Sequence, residues 1–134
     1  MFKLFTDGGA RGNPGPAGIG AVIQDGEGNV IAEISEYIGT TTNNYAEYTA
    51  LMKGLTRVLA LGCSEIACFL DSELVVKQLN GRYKLKNKAL AKLFIHIHNL
   101  RLKFKKITFY SIPREKNKHA DKLVNQALDK AHII

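Results

Sequence analysis

The sequence has little cysteine, no tryptophan and no long apolar run. Two cysteines, Cys63 and Cys68, are too few for the disulfide framework of a small secreted domain. No stretch approaches the roughly 18 apolar residues of a membrane-spanning helix, and the N-terminus lacks the apolar core of a secretory signal. At 134 residues the chain has room for one domain, expected to span residues 1–134. We therefore expect a single-domain, cytoplasmic protein that does not enter a membrane.

Carboxylates are absent from a long internal stretch. From Leu74 through Arg114 there is no Asp or Glu, whereas there are 11 Lys or Arg. Residues 68–134 hold 15 basic and 5 acidic side chains, a net charge of +10, while residues 1–67 have a net charge of −3. A basic half of this kind suits a polyanion such as nucleic acid, although a generically basic surface would have the same composition.

The hydrophobic pattern predicts nine elements in the order β-β-β-α-β-α-α-β-α. Alternation predicts strands, helical spacing predicts helices, and a glycine- and proline-rich loop is expected at Gly8–Pro16. A crossover from the third strand through the long helix predicts an α/β fold with a mixed five-stranded sheet flanked by helices. The expected strands are Phe2–Thr6, Ile19–Gln24, Val30–Ile38, Ile66–Leu70 and Ile107–Ile112, and the expected helices are Asn44–Leu61, Ser72–Leu79, Lys88–Lys103 and one through Ala120 and Ala131.

Four of the carboxylates occupy special positions. Asp7 and Asp71 are each expected at the C-terminal end of an apolar strand, which is the edge where open α/β sheets bind ligands. Glu47 is expected in the first turn of the long helix and Asp121 near the start of the last one, both bordering the packed face. Each position alone also suits helix capping or the helix dipole. Four such acids together instead predict a cluster.

A cluster of four like charges needs cations to neutralise it. An all-oxygen donor set without His or Cys favours Mg²⁺, or alternatively Mn²⁺, over zinc. Two such ions bridged by carboxylates stabilise the attacking and leaving oxygens of a phosphoryl transfer. The pattern therefore indicates phosphodiester chemistry.

Four segments in order carry a resemblance to a known family: Thr-Asp-Gly-Gly-Ala-Arg-Gly-Asn-Pro-Gly-Pro-Ala-Gly (6–18), Thr-Thr-Asn-Asn-Tyr-Ala-Glu-Tyr (41–48), Leu-Asp-Ser-Glu-Leu-Val-Val-Lys-Gln-Leu-Asn-Gly (70–81) and Pro-Arg-Glu-Lys-Asn-Lys-His-Ala-Asp-Lys-Leu (113–123). Over essentially its whole length the chain resembles the type 1 ribonuclease H family, which cleaves the RNA strand of RNA–DNA hybrids. The resemblance implies the ribonuclease H-like fold. It also implies that Asp7, Glu47, Asp71 and Asp121 are the catalytic, metal-binding set.

The resemblance also implies a nucleic-acid-binding surface. The glycine loop allows backbone to approach a strand closely, and family members use it with amide side chains in the minor groove, where the 2′-hydroxyl marks RNA. Thr42 and Asn13 match positions that hold a DNA-strand phosphate in some members, while Asn43 and Asn44 would serve equally as helix caps. The expected binding residues are Gly9, Ala10, Arg11, Gly12, Asn13, Thr42, Asn43, Asn44, Ser72, Lys84, Lys86 and Lys88.

The sequence departs from the family pattern at two places. Bacterial members carry a histidine in the loop before the last catalytic aspartate, and here the candidates to take its place are Arg114, Glu115 and His119. Some members have a tryptophan-bearing basic protrusion, whereas this chain has no Trp. Its short basic segment, expected to act as a reduced version, contains Arg82, Lys84, Lys86, Lys88 and Lys92.

The expected function is metal-dependent endonucleolytic cleavage of the RNA strand of RNA–DNA hybrids, leaving 5′-phosphate and 3′-hydroxyl ends. Two Mg²⁺ ions are the expected cofactors, the hybrid is the expected partner, and the chain is expected to be a monomer. One alternative is a non-catalytic nucleic-acid-binding module of the same fold. Another is a DNA nuclease of the wider superfamily.

Overall fold

The computed structural model describes residues 1–81 and 87–132. Within these residues the chain forms five strands and four helices in the expected order, with a short 3-10 turn at Arg114–Lys116 before the last helix. The strands are β1 (Phe2–Ala10), β2 (Gly15–Gln24), β3 (Val30–Thr41), β4 (Glu65–Leu70) and β5 (Lys106–Ser111). The helices are α1 (Asn43–Ala60), α2 (Glu73–Leu79), α3 (Lys88–Arg101) and α4 (Lys118–Lys130).

The five strands form one mixed sheet in the order β3-β2-β1-β4-β5. The neighbouring strands β1, β2 and β3 run antiparallel and are joined by short connections. β4 and β5 then add in parallel, so the chain crosses the sheet once through α1 and once through α2 and α3. The mixed α/β fold predicted from the sequence is confirmed.

The glycine-rich segment is mostly strand, so the predicted loop at Gly8–Pro16 is wrong at both ends. β1 continues through Asp7 because the residues of 8–10 pair with those of 17–19 on β2. Asp7 therefore lies inside a strand and not at its end. The parallel pairing of β1 with β4 does stop at Thr6 and Leu70, so Asp7 and Asp71 both lie just beyond it.

The bounds of the helices differ from the predicted ones by two residues or fewer. The main difference is at the start of α1, where Thr42 is the capping residue and its hydroxyl accepts a hydrogen bond of 3.2 Å from the Tyr45 amide. Asn43 and Asn44 are therefore already helical and do not cap. Glu47 is consequently the fifth residue of the helix, just beyond the first turn in which it was predicted.

The main core lies between the sheet and the helices α1, α2 and α3. Leu4, Tyr48, Leu55, Ile66 and Ile97 are fully buried there. Burial of large apolar side chains contributes about 1.5–3 kcal/mol each, so this layer is the main source of stability. Because it fixes α1 against β1, it also fixes the side chains that α1 presents at the end of the sheet.

Helix α4 packs on the opposite face, across β1, β2 and β3, and lies unusually close to the sheet. A Cβ atom on Gly20 would overlap the backbone carbonyl of Ala120 and lie 2.9 Å from the Leu123 Cβ and 3.1 Å from the Val124 amide nitrogen. Glycine is therefore required at position 20. Its cross-strand partner on β1 is Asp7, so the same contact sets how near α4 comes to that carboxylate.

Among the described residues, no helix combines the length and apolar character that crossing a membrane requires.

Gly20→Ala should lower the free energy of unfolding by about 3 kcal/mol, because α4 must withdraw from the sheet to admit the methyl group. Gly9→Ala is the matched control, since a Cβ there meets only the Val124 side chain at 3.9 Å, and it should change stability by less than about 0.5 kcal/mol. Urea denaturation followed by circular dichroism measures both. Similar losses in the two variants would contradict this role for Gly20.

Candidate active site

The acidic side chains meet where the N-terminal part of α1 approaches β1. A Cβ on Gly8 would overlap the backbone of Ala46 and lie 2.6 Å from the amide nitrogen of Glu47. The absence of that atom lets the two backbones touch, which brings Glu47 beside Asp7. Asp71, directly after β4, reaches the same point from the neighbouring strand.

Asp7, Glu47 and Asp71 form a compact carboxylate cluster. One carboxylate oxygen from each lies within 4.8 Å of those of the other two, and all three residues are half-buried. Asp121, in the first turn of α4, lies outside this tight group but borders the same cleft. Its charge acts on Asp7. All four predicted acids therefore reach one site, and three of them lie close enough together to share one metal ion.

The cluster strongly disfavours full ionisation. Burial, followed by the charge of Asp71 and then that of Asp121, raises the pKa of Asp7 from 3.8 to about 8. Burial and the charge of Asp71 raise the pKa of Glu47 to about 7, although a hydrogen bond from the Ser72 hydroxyl acts in the opposite direction. At neutral pH the cluster therefore tends to hold either a proton or a cation.

Asn117 is a buried residue of the site that the sequence did not single out. Its side chain is 1% exposed, and its amide nitrogen donates to the Thr6 carbonyl (2.9 Å) and to the Asp71 Oδ2 (3.0 Å). It thus ties the segment before α4 to β1 and orients Asp71. The only signal in the sequence is its position four residues before Asp121, which suits an ordinary helix cap equally well.

The acids line a polar cleft of about 620 Å³. Seven of the predicted binding and auxiliary positions do not line it: Gly12, Asn13, Thr42, Asn44, Lys88, Glu115 and His119. The predicted residues that line it, besides the four acids, are Gly9, Ala10, Arg11, Asn43, Ser72 and Arg114. The glycine-rich end of β1 and the start of α1 therefore form one wall, as expected.

Two asparagines connect the turn after β1 to the start of α1. The Asn43 Oδ1 accepts a hydrogen bond from the Ala10 amide at 2.8 Å, and the Asn13 Oδ1 accepts one from the Asn43 amide at 3.0 Å. Asn43 thus has a structural role that the sequence did not indicate. Within the described part of the chain, no bond to its side-chain NH₂ is seen, so that group can donate into the cleft.

His119, Arg11 and Lys88 have different surroundings from one another. The His119 ring pairs with Glu33 on β3, on the side of α4 away from the cleft. Arg11 forms an ion pair with Asp129 at 2.7 Å, which holds it at the mouth of the cleft. Lys88 is exposed at the start of α3. Lys84 and Lys86, like Arg82, lie outside the described residues.

The donor chemistry fits a divalent metal ion. Three carboxylates offer oxygen atoms within bonding distance of one point, and no His or Cys belongs to the group. Hard cations prefer such oxygen ligands, and a bound positive charge offsets the burial and the repulsion from Asp71 that raise the pKa of Asp7. The cluster is therefore an acidic, metal-binding arrangement.

Comparison with known proteins agrees with this architecture. The family model described as "Reverse transcriptase-like" matches residues 5–127. The bifunctional protein Rv2228c of Mycobacterium tuberculosis is 46% identical over 129 residues, which cover 96% of this chain and 35% of that protein. Ribonuclease HI of Halobacterium salinarum is 39% identical over 127 residues, covering 95% of this chain and 64% of that protein. The chain thus spans about a third of the mycobacterial protein's length.

Solved structures show the same fold. Ribonuclease H1 of Halobacterium salinarum superposes with a TM-score of 0.93 at 38% identity, covering 96% of this chain and 98% of that one. LC11-RNase H1, crystallised in complex with an RNA/DNA hybrid, superposes with a TM-score of 0.93 at 47% identity, covering 98% and 99%. The fold is the ribonuclease H-like α/β fold. The chain belongs to the ribonuclease H1 family.

Without metal, Asp7→Asn should stabilise the protein, by about 1–3 kcal/mol more at pH 8 than at pH 5. Since the folded pKa of Asp7 is about 8 and its ordinary value is 3.8, the folded state binds more protons between these values. Wild-type stability therefore falls as pH rises through this window, and the variant avoids that loss. Thermal melts in EDTA at pH 5 and pH 8 measure it, with the exposed turn residue changed in Glu27→Gln as control.

The same thermal melts test whether a metal ion binds at the carboxylate cluster. Millimolar Mg²⁺ should raise the melting temperature of the wild type more than that of Asp7→Asn, because the variant lacks one ligand. Equal increases in the two proteins would argue against a metal at this cluster.

Asn117→Ala should destabilise the protein by about 2–3 kcal/mol, since the buried Thr6 carbonyl and Asp71 each lose a hydrogen-bond donor. Asn125→Ala is the control, because Asn125 lies on α4, the helix that follows Asn117, and also bonds to an acidic residue, Asp121, but is exposed. Urea titration should separate the two variants clearly. A loss below about 0.5 kcal/mol for Asn117→Ala would refute the proposed anchoring.

Proposed function

We propose that this chain hydrolyses the RNA strand of RNA–DNA hybrids in a metal-dependent, endonucleolytic reaction that leaves 5′-phosphate and 3′-hydroxyl ends. The observation that carries the proposal is the convergence of Asp7, Glu47 and Asp71 at the floor of an open polar cleft. Family membership and the hybrid-bound relative LC11-RNase H1 support the choice of substrate.

The four carboxylates would hold two Mg²⁺ ions, with Mn²⁺ as the alternative. In this proposal Asp7 and Asp71 serve both ions, while Glu47 and Asp121 complete one site each. When bound, such ions supply an activated water and neutralise the charge that develops on the leaving oxygen. The protein's part is to keep the ligands in place, which Asn117 does for Asp71 and Ser72 does for Glu47.

The cleft wall would recognise the substrate through backbone and amide groups. Gly9 and Ala10 expose strand backbone without bulky side chains, and the Asn43 NH₂ lies beside them. Donors and acceptors of this kind suit the sugar edges of a minor groove, where the 2′-hydroxyl identifies the RNA strand. Thr42 and Asn13 would hold a phosphate of the DNA strand just outside the cleft.

Cations around the cleft would hold the remaining phosphates. Arg11 lies at its mouth, and Lys88 begins α3, with Lys84 and Lys86 preceding it in the sequence. Of the three candidates for the missing loop histidine, Arg114 lines the cleft, so we assign it the auxiliary role ahead of Glu115 and His119. Monomeric state, one domain over 1–134 and a cytoplasmic location stay predictions from the sequence.

Asp71→Asn should reduce cleavage of a labelled RNA–DNA hybrid in Mg²⁺ by more than about 100-fold. The reason is that changing a partner of a metal ligand already costs about 10–100-fold, and this variant changes the ligand itself. Glu73→Gln is the control: it removes an exposed carboxylate two residues away and should keep wild-type activity. Gel separation of the labelled RNA after timed incubation gives both rates.

Parallel incubations with RNA duplex and DNA duplex decide between the alternatives. Cleavage of the hybrid alone supports the proposed function. Hybrid that is bound but left intact by the wild type would instead indicate a non-catalytic binding module. Cleavage of DNA duplex in preference to hybrid would indicate a DNA nuclease.

A further inference from the structure

A row of three stacked aromatic rings crosses the sheet on the face where α4 packs. Phe5, Phe69 and Tyr110 are cross-strand neighbours on β1, β4 and β5. The centroids of the first two rings are 5.0 Å apart with planes at 19°, and those of the last two are 5.5 Å apart with planes at 25°. Since α4 packs on β1, β2 and β3, the row leads from the edge of that helix to the outer strand β5.

The stack has an open end at Tyr110. β5 is the last strand of the sheet, and Tyr110 is 49% exposed. Among the described residues, no aromatic ring other than Phe69 stacks on Tyr110. Its outer side can therefore receive one more flat ring. Offset stacking of this kind stabilises a pair of rings beyond the area that it buries.

Cations surround the row. The Lys3 ammonium lies 6.0 Å from the centre of the Phe69 ring, and Lys106 is exposed on the same face of β5 as Tyr110. Lys116 and Phe5 together line a cavity of about 100 Å³ at the other end. The carboxylates on this face are Glu65, which is the register partner of Lys106, and Asp7, which lies two residues beyond Phe5 at the end of the row nearest the acidic cleft. The surface is thus both aromatic and basic.

The combination of aromatic rings and lysines indicates which class of ligand this surface fits. An apolar peptide would use the rings but not the lysines, and a duplex keeps its base faces stacked inside. A single strand offers exposed base faces together with phosphates, and proteins bind it through aromatic platforms flanked by cations. We propose that the Phe5–Phe69–Tyr110 row is a binding site for single-stranded nucleic acid, in which a base stacks on Tyr110 and Lys3 and Lys106 contact phosphates.

The site is distinct from the acidic cleft yet close to it. Phe5 and Phe69 precede Asp7 and Asp71 by two residues on the same strands, a spacing of about 7 Å along the sheet. Asn117 and the segment before α4 separate the two surfaces. The proposal concerns binding alone, so it does not depend on the proposed hydrolytic activity.

Binding of fluorescein-labelled ten-nucleotide oligo(dT) and oligo(U), followed by anisotropy at low salt in EDTA, tests the proposal. Tyr110→Leu should raise the Kd about fivefold or more, since a stacked base is lost, and Tyr110→Phe should stay within about twofold of the wild type. Tyr37→Leu is the matched control, because Tyr37 is 44% exposed on β3 at the opposite edge of the sheet. Equal Kd values for Tyr110→Leu and Tyr37→Leu would overturn the proposal.

Cross-linking of the wild type gives a readout that does not depend on how the variants fold. Ultraviolet irradiation with a 5-bromouracil oligomer should attach it to Tyr110 itself, located by fragmenting the tryptic peptide 107–114, which lies between the cleavage points after Lys106 and Arg114. Adducts confined to residues that line the acidic cleft, with Arg114 of the same peptide counted among them, would overturn the proposal, as would an absence of any measurable binding to either oligomer.

Discussion

Because Gly8 and Gly20 have no side chains, the backbones of α1 and α4 can touch the strands around Asp7. The geometry of the site depends on these contacts. At Gly8 the backbone of Ala46 occupies the space that a methyl group would need, and at Gly20 the backbone of Ala120 does the same from the opposite face. Gly20 is the cross-strand partner of Asp7, so both helices are positioned relative to one carboxylate. A larger residue at either glycine would move α1 or α4 outward, and Glu47 or Asp121 with it.

This close approach has an electrostatic cost. The three carboxylates come nearer than like charges tolerate, and the effect is greatest at the centre, where Asp7 receives a local hydrogen bond from the Gly8 amide at 3.0 Å. Its neighbours are better supported, Asp71 by Asn117 and Glu47 by the Ser72 hydroxyl. The pKa values agree with this difference in support between Asp7 and Glu47, since the pKa of Asp7 rises to about 8 and that of Glu47 to about 7. Burial of the large core under α1 offsets this electrostatic cost, which only a bound cation removes fully.

The order of elements could be predicted because periodicity and turn signals are local, and the four acids because each lies at a recognisable point of its element. What the sequence did not reveal depends on distant partners. The sequence predicted a loop for the glycines of β1, but they form a strand because residues 17–19 of β2 pair with them. The sequence indicated a loop residue or a helix cap at Asn117, because its hydrogen-bond partner Thr6 lies 111 residues away in the sequence. The sequence placed His119 beside Asp121, whereas its contact with Glu33 on β3 keeps it on the other side of the helix.

The uneven charge of the chain also gains a physical meaning from the fold. The acids of the cleft come from both halves of the sequence, because β1 and α1 supply two of them and the segment after β4 and the first turn of α4 supply the others. The basic half therefore contributes two carboxylates to the most negative point of the surface and cations to its surroundings. Two divalent ions would add four positive charges at that point and cancel the charges of the four carboxylates. A polyanionic strand that the metal-free cluster repels would then meet no net repulsion there, and the surrounding cations would attract it, so bound metal would help the substrate to approach as well as supply chemistry.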